Sequence, residues 1–318
     1  MAKVLISTAM FPEAVERLKG AGHEVQVLES PPAQGWKAAL QDKEALICPL
    51  SLRVNAALLE AAPRLRVVAN LGVGVDNIDL QEAARRGIAV TNTPDVLTEA
   101  TADLGWALLL AVARRVVEAD RDLRAHGFPG WTFIPPHLGV DVYRKTLGVV
   151  GFGRIGQAVA RRAQGFSMRI LYHSRTRNPQ AEQALGATWV PLHELLKESD
   201  FLVLCVPLTP ETRHLIGARE LGLMKREAIL VNIARGPVVD EAALVEALRE
   251  GRILGAGLDV FEEEPKVHLG LLPLRNVVLL PHIGSATWAT RRKMADMAVD
   301  AVLAVLAGTK PPNLVVPR

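Results

Sequence analysis

The sequence predicts an α/β protein of two doubly wound, parallel-sheet domains with a cleft between them. Three observations lead there. Short apolar strand patterns alternate with helical patterns along most of the 318 residues, the order that builds parallel sheets covered by helices. Hydrophobic residues make up 49% of the chain, with Leu, Val and Ala dominant, as a sheet buried on both faces requires. Near the middle of the chain, Leu147-Gly-Val-Val-Gly-Phe-Gly-Arg-Ile-Gly156 reads as an apolar strand running into a GxGxxG turn. A chain of this length holds about two domains, and the mid-chain turn leaves room for a complete domain before it.

In the first hundred residues, Lys3–Ser7, Glu24–Leu28, Ala45–Cys48, Arg66–Asn70 and Ala89–Thr91 read as strands. Pro12–Ala21, Asn55–Ala61 and Leu80–Arg86 read as helices between them. Thr98–Leu123 reads as one long helix, with Thr98 as N-cap and Glu99 in its first turn. It carries more apolar residues than one core face needs. It is either a buried connector or also packs on a second subunit, and the second reading, a homodimer, is preferred. A loop rich in Gly, Pro and aromatics follows at His126–Asp141.

Strands then recur at Thr146–Val150, Arg169–Tyr172, Thr188–Val190, Phe201–Val206, Ala228–Ile233, Gly255–Val260 and Asn276–Leu280. The last helix, Ala286–Leu306, lies beyond the final strand and is expected to return to the first domain. The expected domains are 1–97 with 286–318, and 98–285, the latter including a dimerisation helix and loop over about 98–145.

The glycine turn has the context that its chemistry demands. Gly151 permits a tight turn out of the strand, Gly153 lets the backbone approach a pyrophosphate, and Gly156 lets the helix opening at Gln157 pack on the strand. An NAD site places an acid roughly 20 residues after the turn to hold the ribose 2′-hydroxyl. Here the strand Met168–Tyr172 is followed by His173-Ser174-Arg175-Thr176-Arg177. Two arginines and two hydroxyls suit a 2′-phosphate, so NADPH is preferred, with NADH as the alternative.

Other classes are excluded on composition. The 37 basic and 34 acidic residues leave a net charge of +3, with scattered arginines and few interleaved aromatics, which does not describe a nucleic-acid surface. Cys48 and Cys205 have neither disulfide-framework nor metal-ligand spacing, so they read as reduced thiols of a cytoplasmic protein, and no metal is expected. The N-terminal apolar run is too short for a signal peptide, and Leu104–Ala113 is about half a membrane span, so no membrane partner is expected.

In open α/β sheets, ligands collect at the carboxyl ends of the strands. Four predicted strand ends carry suitable groups: Gly72 to Asp76, Ala234-Arg235-Gly236, Asp259 with the acids to Glu264, and Pro281-His282-Ile283-Gly284-Ser285. An arginine held between a buried strand and Gly236 suits bidentate binding of a carboxylate. His282 can move a proton near neutral pH, and a carboxylate neighbour, for which Glu264 is the candidate, would keep that proton available. Glu262 and Glu263 read as a solvated acidic loop. Gly72 and Gly74 serve either a turn or an anion nest of main-chain N–H groups.

Together, Gly72-Val-Gly-Val-Asp76, the Gly151–Gly156 turn, Pro207-Leu-Thr-Pro-Glu-Thr212, Asn232-Ile-Ala-Arg-Gly236, Leu258-Asp-Val-Phe261, Glu264-Pro265 and Pro281-His-Ile-Gly-Ser-Ala286 resemble the D-isomer-specific 2-hydroxyacid dehydrogenase family over essentially the whole chain. Within it, Thr93–Thr98 and His282–Thr287 look most like the glyoxylate/hydroxypyruvate reductases. The resemblance implies a flavodoxin-like substrate domain beside an NAD(P)-binding Rossmann domain. It implies reduction of small anionic 2-keto acids, glyoxylate to glycolate and hydroxypyruvate to D-glycerate. Arg235 would bind the carboxylate, His282 would be the acid/base and Glu264 its partner. Leu50, Ser51, Val73, Gly74 and Ser285 would contact substrate. The cofactor groove would comprise Thr101, Gly151, Gly153, Arg154, Ile155, Gly156, Ser174, Arg175, Thr176, Cys205, Val206, Pro207, Thr212, Ile233, Ala234, Asp259 and Gly284, with Asp259 on the nicotinamide carboxamide. The alternatives are a short-form D-3-phosphoglycerate dehydrogenase and a dehydrogenase-like protein that senses nucleotide state. Formate dehydrogenases carry Gln where Glu264 stands, which argues against them.

Overall fold

The computed structural model describes residues 1–316; Pro317 and Arg318, at the end of the expected first domain, lie outside the described residues. The chain forms two compact units, Met1–Leu97 with the described residues from Ser285 on, and Thr98–Gly284. In the first, β1 (Lys3–Ile6), α1 (Pro12–Gly20), β2 (Glu24–Val27), α2 (Gly35–Leu40), β3 (Ala45–Cys48), α3 (Ala56–Glu60), β4 (Val67–Asn70), α4 (Leu80–Arg85) and β5 (Ala89–Thr91) follow in order. The second contains α5 (Thr98–Ala113), α6 (Val116–His126), β6 (Thr146–Val150), α7 (Arg154–Ala163), β7 (Arg169–His173), α8 (Pro179–Leu185), β8 (Ala187–Trp189), α9 (Leu192–Glu198) and β9 (Phe201–Leu204). It continues through α10 (Ala218–Leu223), β10 (Ile229–Asn232), α11 (Glu241–Arg249), β11 (Gly255–Leu258) and β12 (Val277–Leu279), and α12 (Trp288–Leu306) belongs to the first unit.

Both sheets are wholly parallel, as the alternating patterns predict. The five-stranded sheet runs β2-β1-β3-β4-β5, the flavodoxin-like order. Alternate strand residues feed opposite faces. Leu5, Leu46, Cys48 and Val68 meet Leu40 and Leu59, while Val4, Ile6, Ile47 and Ala69 meet Leu18, Ala298, Val299 and Val302. The second face is closed by α12, which packs on β4.

The seven-stranded sheet runs β12-β11-β10-β9-β6-β7-β8, the dinucleotide-binding order extended by one strand. One face packs Leu147, Val149, Val203 and Val231 under α5 and α7, and the other packs Leu202, Leu204 and Leu230 under α9 and α11. A Cβ on Gly257 of β11 would stand 2.9 Å from the Leu108 Cβ, so a bare backbone is what lets α5 lie this close. Among the described residues, no helix is long and apolar enough to cross a membrane.

The single helix expected over Thr98–Leu123 is two. Arg115 takes a left-handed conformation, φ 51° and ψ 37°, between α5 and α6. The cause is competition for backbone partners. Val140 N–H donates to the Ala113 carbonyl at 2.9 Å, and Gly139 passes so close that a Cβ there would stand 2.3 Å from that oxygen. The Arg115 guanidinium then forks onto Glu118, at 2.7 Å from NH2, and reaches the Pro136 carbonyl at 2.8 Å. The apolar surplus of α5 is buried within its own unit, against α7 and β10–β12. Exposed apolar side chains lie instead on α6 and the following loop, with Trp131 81% and Phe133 83% exposed. Sequence patterns also gave no sign of the short α2.

Gly257→Val should lower stability by about 1–3 kcal/mol through overpacking against Leu108. Leu108→Ala in the same chain should restore part of the loss, because the two positions touch. Urea midpoints of the two variants measure this, and an unchanged midpoint for Gly257→Val would contradict the contact.

Candidate active site

The order of the seven-stranded sheet reverses between β6 and β9, and ligands of such sheets bind beyond the strand ends at that switch. β6 runs into Gly151, whose φ is +91°. A Cβ there would stand 2.8 Å from the Cys205 carbonyl carbon and the Val206 nitrogen, so the loops after β6 and β9 touch through a bare backbone. Gly156 is equally constrained, since its Cβ would come within 2.1 Å of the Gly151 oxygen. Gly153 faces open space, with nothing within 4 Å of a Cβ. It begins α7, and no side chain caps that helix, whose first turn holds Arg154 and Ile155. A tight turn, an open glycine and an uncapped helix N-terminus together fit a dinucleotide pyrophosphate.

Around this turn, the Thr212 hydroxyl donates to the Pro207 carbonyl at 2.7 Å and accepts from Thr209 N–H at 2.8 Å, which folds the loop after β9 on itself. Burial pushes the Cys205 thiol up to about 12, so Cys205 is a neutral group there. After β7, the Ser174 hydroxyl donates to the Thr176 carbonyl at 2.7 Å, and Trp189 Nε1 holds the Ser174 carbonyl at 3.0 Å. Arg177 differs from the sequence expectation, because its guanidinium is engaged by Glu182 at 2.7 Å. Of the two arginines in this loop, Arg177 is thus the one bound to a carboxylate.

The strand ends further along the sheet carry the candidate reactive groups. At the end of β10, buried Asn232 accepts from Ala234 N–H and donates to the Arg235 carbonyl, both at 3.0 Å. That fold carries Arg235 beyond the strand, while Ile233 and Ala234 both stay buried and Ile233 fills the space beside Gly105 of α5. Gly236 touches the next loop: a Cβ would sit 1.8 Å from the Phe261 oxygen. Phe261 N–H in turn donates to Glu264 Oε1 at 3.1 Å, and Glu264 Oε2 meets His282 Nδ1 at 2.9 Å. Partial burial works to raise the Glu264 pKa, but the His282 hydrogen bond and charge, helped by Phe261 N–H and Arg235, outweigh it and hold the carboxyl below its ordinary value. With Glu264 ionised, Nδ1 is the donor in this pair and Nε2 is the nitrogen left for proton transfer.

His282 has φ +55°. Asp259, 2% exposed at the end of β11, stabilises this conformation by accepting from Ile283 N–H at 2.7 Å and Gly284 N–H at 2.8 Å. Burial raises the Asp259 pKa against the opposing pull of those two amides. Gly284 is closely packed, since a Cβ would be 3.1 Å from Asp259 and 3.4 Å from Thr101, a buried residue of α5. Glu262 is not the solvated acid that the sequence suggested. It binds His214 and Arg213, and its N–H donates to buried Glu241 at 2.7 Å.

In the first unit, the sheet order reverses between β1 and β3, and Leu50 and Ser51 follow β3. The Leu50 side chain packs where a Cβ on Gly72 would be, 2.6 Å from Cδ2. The Gly72–Asp76 turn is held by asparagines that motif reading passed over. Asn70 Nδ2 donates to the Gly74 carbonyl at 2.7 Å, and Asn92 Nδ2 to the Val73 carbonyl at 2.8 Å. Asn77 Nδ2 joins Asn70 Oδ1 and the Leu52 carbonyl, tying this turn to the loop of Leu50 and Ser51. With their carbonyls taken, Val73 and Gly74 are fixed in orientation. A strand that ends in Asn before a glycine turn was the available signal. Ser285 opens the segment to α12, its carbonyl accepting from Thr287 N–H at 2.9 Å.

Residues 106–284 match the family described as D-isomer specific 2-hydroxyacid dehydrogenase, NAD binding domain. The glyoxylate reductase of Thermococcus onnurineus is 56% identical over 319 residues, covering 98% of this chain and 95% of that protein. The crystal structure of the TT0316 protein from Thermus thermophilus superposes with a TM-score of 0.93 at 48% identity, covering 99% of this chain and all of that one, 100%. An NADPH-dependent glyoxylate/hydroxypyruvate reductase from Sinorhizobium meliloti, solved with NADP and malonate, gives 0.88 at 38% identity, with coverage of 99% and 97%.

The lowered Glu264 carboxyl has a consequence for pH. A depressed folded pKa contributes stability that is present above the unfolded value and lost as pH falls through the folded one. The stability advantage of the wild type over Glu264→Gln should therefore be complete at neutral pH and shrink as pH falls from the ordinary carboxylate value of 4.5 through the lower folded one. Denaturation midpoints across that range measure it, and a constant difference would exclude the ionised pair.

Proposed function

This chain belongs to the D-isomer specific 2-hydroxyacid dehydrogenase family, and from that premise we propose that it reduces glyoxylate and hydroxypyruvate, using a nicotinamide dinucleotide. The observation that carries the reading is the His282–Glu264 pair at 2.9 Å, held in one cluster of loops with Arg235. A nicotinamide dinucleotide held at the Gly151–Gly156 turn would supply hydride to the carbonyl carbon. His282 gives a proton from Nε2 to the carbonyl oxygen, while Glu264 steadies the ring and the charge that it carries. Arg235 binds the substrate carboxylate with its planar fork and offsets charge developing on the oxygen. In the first unit, Leu50, Ser51, Ser285 and the main-chain N–H groups of Val73 and Gly74 are the substrate contacts, the last two as donors to a carboxylate.

The cofactor roles fall to Gly151, Gly153, Arg154, Ile155 and Gly156 at the pyrophosphate, with Cys205, Val206, Pro207 and Thr212 on the facing loop. Thr101, Ile233, Ala234, Asp259 and Gly284 lie towards the nicotinamide. NADPH is preferred over NADH because Ser174, Arg175 and Thr176 follow β7, where an NAD site would have an acid. A homodimer is the assembly, since Phe128, Trp131, Phe133 and Ile134 form an exposed apolar surface of the kind that association covers. Free Cys48 and Cys205 suit a cytoplasmic protein.

Initial rates with glyoxylate, hydroxypyruvate and pyruvate, each with NADPH and NADH, test the activity. His282→Gln should abolish turnover, to below about one part in a hundred, while dinucleotide binding followed by fluorescence persists. Nearly wild-type turnover would overturn the acid/base role. Ser174→Asp with Arg175→Ala should swing the kcat/KM ratio towards NADH, and an unmoved ratio would exclude the loop after β7 as the ribose site.

A further inference from the structure

We propose that Glu182 limits how tightly this protein holds a 2′-phosphorylated dinucleotide, by withholding Arg177 from the phosphate. The proposal rests on the reading of residues 174–177 as the adenosine-ribose site. Arg177 lies in that loop, two positions after Arg175, yet its guanidinium meets Glu182 through two bonds, Nε to Oε1 at 3.1 Å and NH2 to Oε2 at 2.7 Å. The carboxylate is the anchored member of the pair. Glu182 is on α8, and its Oε1 also accepts from the Tyr172 hydroxyl at 2.6 Å. That phenol accepts from Asn178 N–H at 2.9 Å, and its buried ring stacks on Phe152 of the glycine turn at 3.9 Å between centroids. Asn178 caps α8 by accepting from Ala181 N–H at 3.1 Å.

Exposure separates the two partners. The Glu182 side chain is 16% exposed and the Arg177 side chain 61%, so the acid is fixed in the fold and the guanidinium is the group free to turn. Arg177 also holds the Glu182 carboxyl below the usual carboxylate range, so the acid competes as an anion. A guanidinium fork fits a carboxylate or a phosphate equally well in shape. An ion pair with one largely exposed partner is weak, so its competition with an arriving phosphate alters affinity by a modest factor and does not forbid binding. The loop thus keeps one of its two arginines, Arg177, in check through Glu182.

The test is calorimetric titration of the full-length protein with 2′,5′-ADP and with 5′-AMP, which differ only in the 2′-phosphate. Glu182→Gln keeps an acceptor for Tyr172 and should tighten 2′,5′-ADP about three- to tenfold while leaving 5′-AMP unchanged. Arg177→Ala alone should change neither affinity by more than about twofold. The double variant Glu182→Gln with Arg177→Ala should lose the gain. An unchanged or weakened 2′,5′-ADP affinity in Glu182→Gln, or a gain that survives in the double variant, would overturn the proposal. Equal affinity of the wild type for the two ligands, with no loss on Arg175→Ala, would instead overturn the reading of the ribose site and this proposal with it.

Discussion

The site in the seven-stranded unit depends on one buried carboxylate. Asp259 spends its two oxygens on two successive main-chain amides, those of Ile283 and Gly284, at 2.7 and 2.8 Å. The residue before those amides is His282, which carries a Cβ in the left-handed region at φ +55°. That conformation costs about 1–2 kcal/mol for a residue with a side chain. Two hydrogen bonds from successive main-chain amides to one side chain act against that strain. Burial disfavours the charge on Asp259, and the amides act in the opposite sense. Asp259 therefore fixes the backbone on which the His282 ring stands.

From that backbone the geometry propagates through short links. The His282 ring meets Glu264, Glu264 is anchored by Phe261 N–H, and the Phe261 carbonyl lies against Gly236, beside Arg235. The loop holding Phe261 to Glu264 has a second anchor, since Glu262 is tied to His214, Arg213 and Glu241. The links combine close backbone approaches, hydrogen bonds to main-chain amides and the side-chain pairs of His282 with Glu264 and of Glu262 with His214 and Arg213. Groups held this way need little rearrangement when charge develops on a substrate, which is how preorganised sites lower a barrier. On the proposed reading, the acid/base and the carboxylate-binding arginine are positioned together by the loops after β10, β11 and β12.

The fold class was legible because its signals are local. Apolar runs bounded by Gly, Pro and polar clusters mark parallel strands without reference to their neighbours, and the glycine turn declares the strand before it and the helix after it. Reactive groups at strand ends were legible for the same reason. What escaped depends on partners distant in sequence. Arg115 breaks a helix because Val140 claims the Ala113 carbonyl, and no pattern within residues 98–123 records that. Glu262 looked solvated, yet it is ordered by His214 and Glu241 from other loops. Arg177 looked like a ligand for phosphate until Glu182, on the following helix, was seen to hold it. Asn70, Asn77 and Asn92 carry no motif by themselves, and their role emerges only where their amides meet the Val73, Gly74 and Leu52 carbonyls.

The same side-chain device shapes a strand end in each unit. Asn70 ends β4 and Asn232 ends β10, and both are 1% exposed. Each donates from Nδ2 to a carbonyl of its own following loop, Gly74 at 2.7 Å and Arg235 at 3.0 Å. Each also accepts at Oδ1, from Asn77 Nδ2 at 3.2 Å and from Ala234 N–H at 3.0 Å. An ionised Asp could not make the donation, and a Leu of similar size could make neither bond, so only an amide satisfies both loops at once. The outcomes differ in charge. After β4 the fold presents main-chain N–H groups in a fixed direction, with no ionic side chain to desolvate. After β10 it carries a guanidinium, a charged group whose planar fork suits a carboxylate.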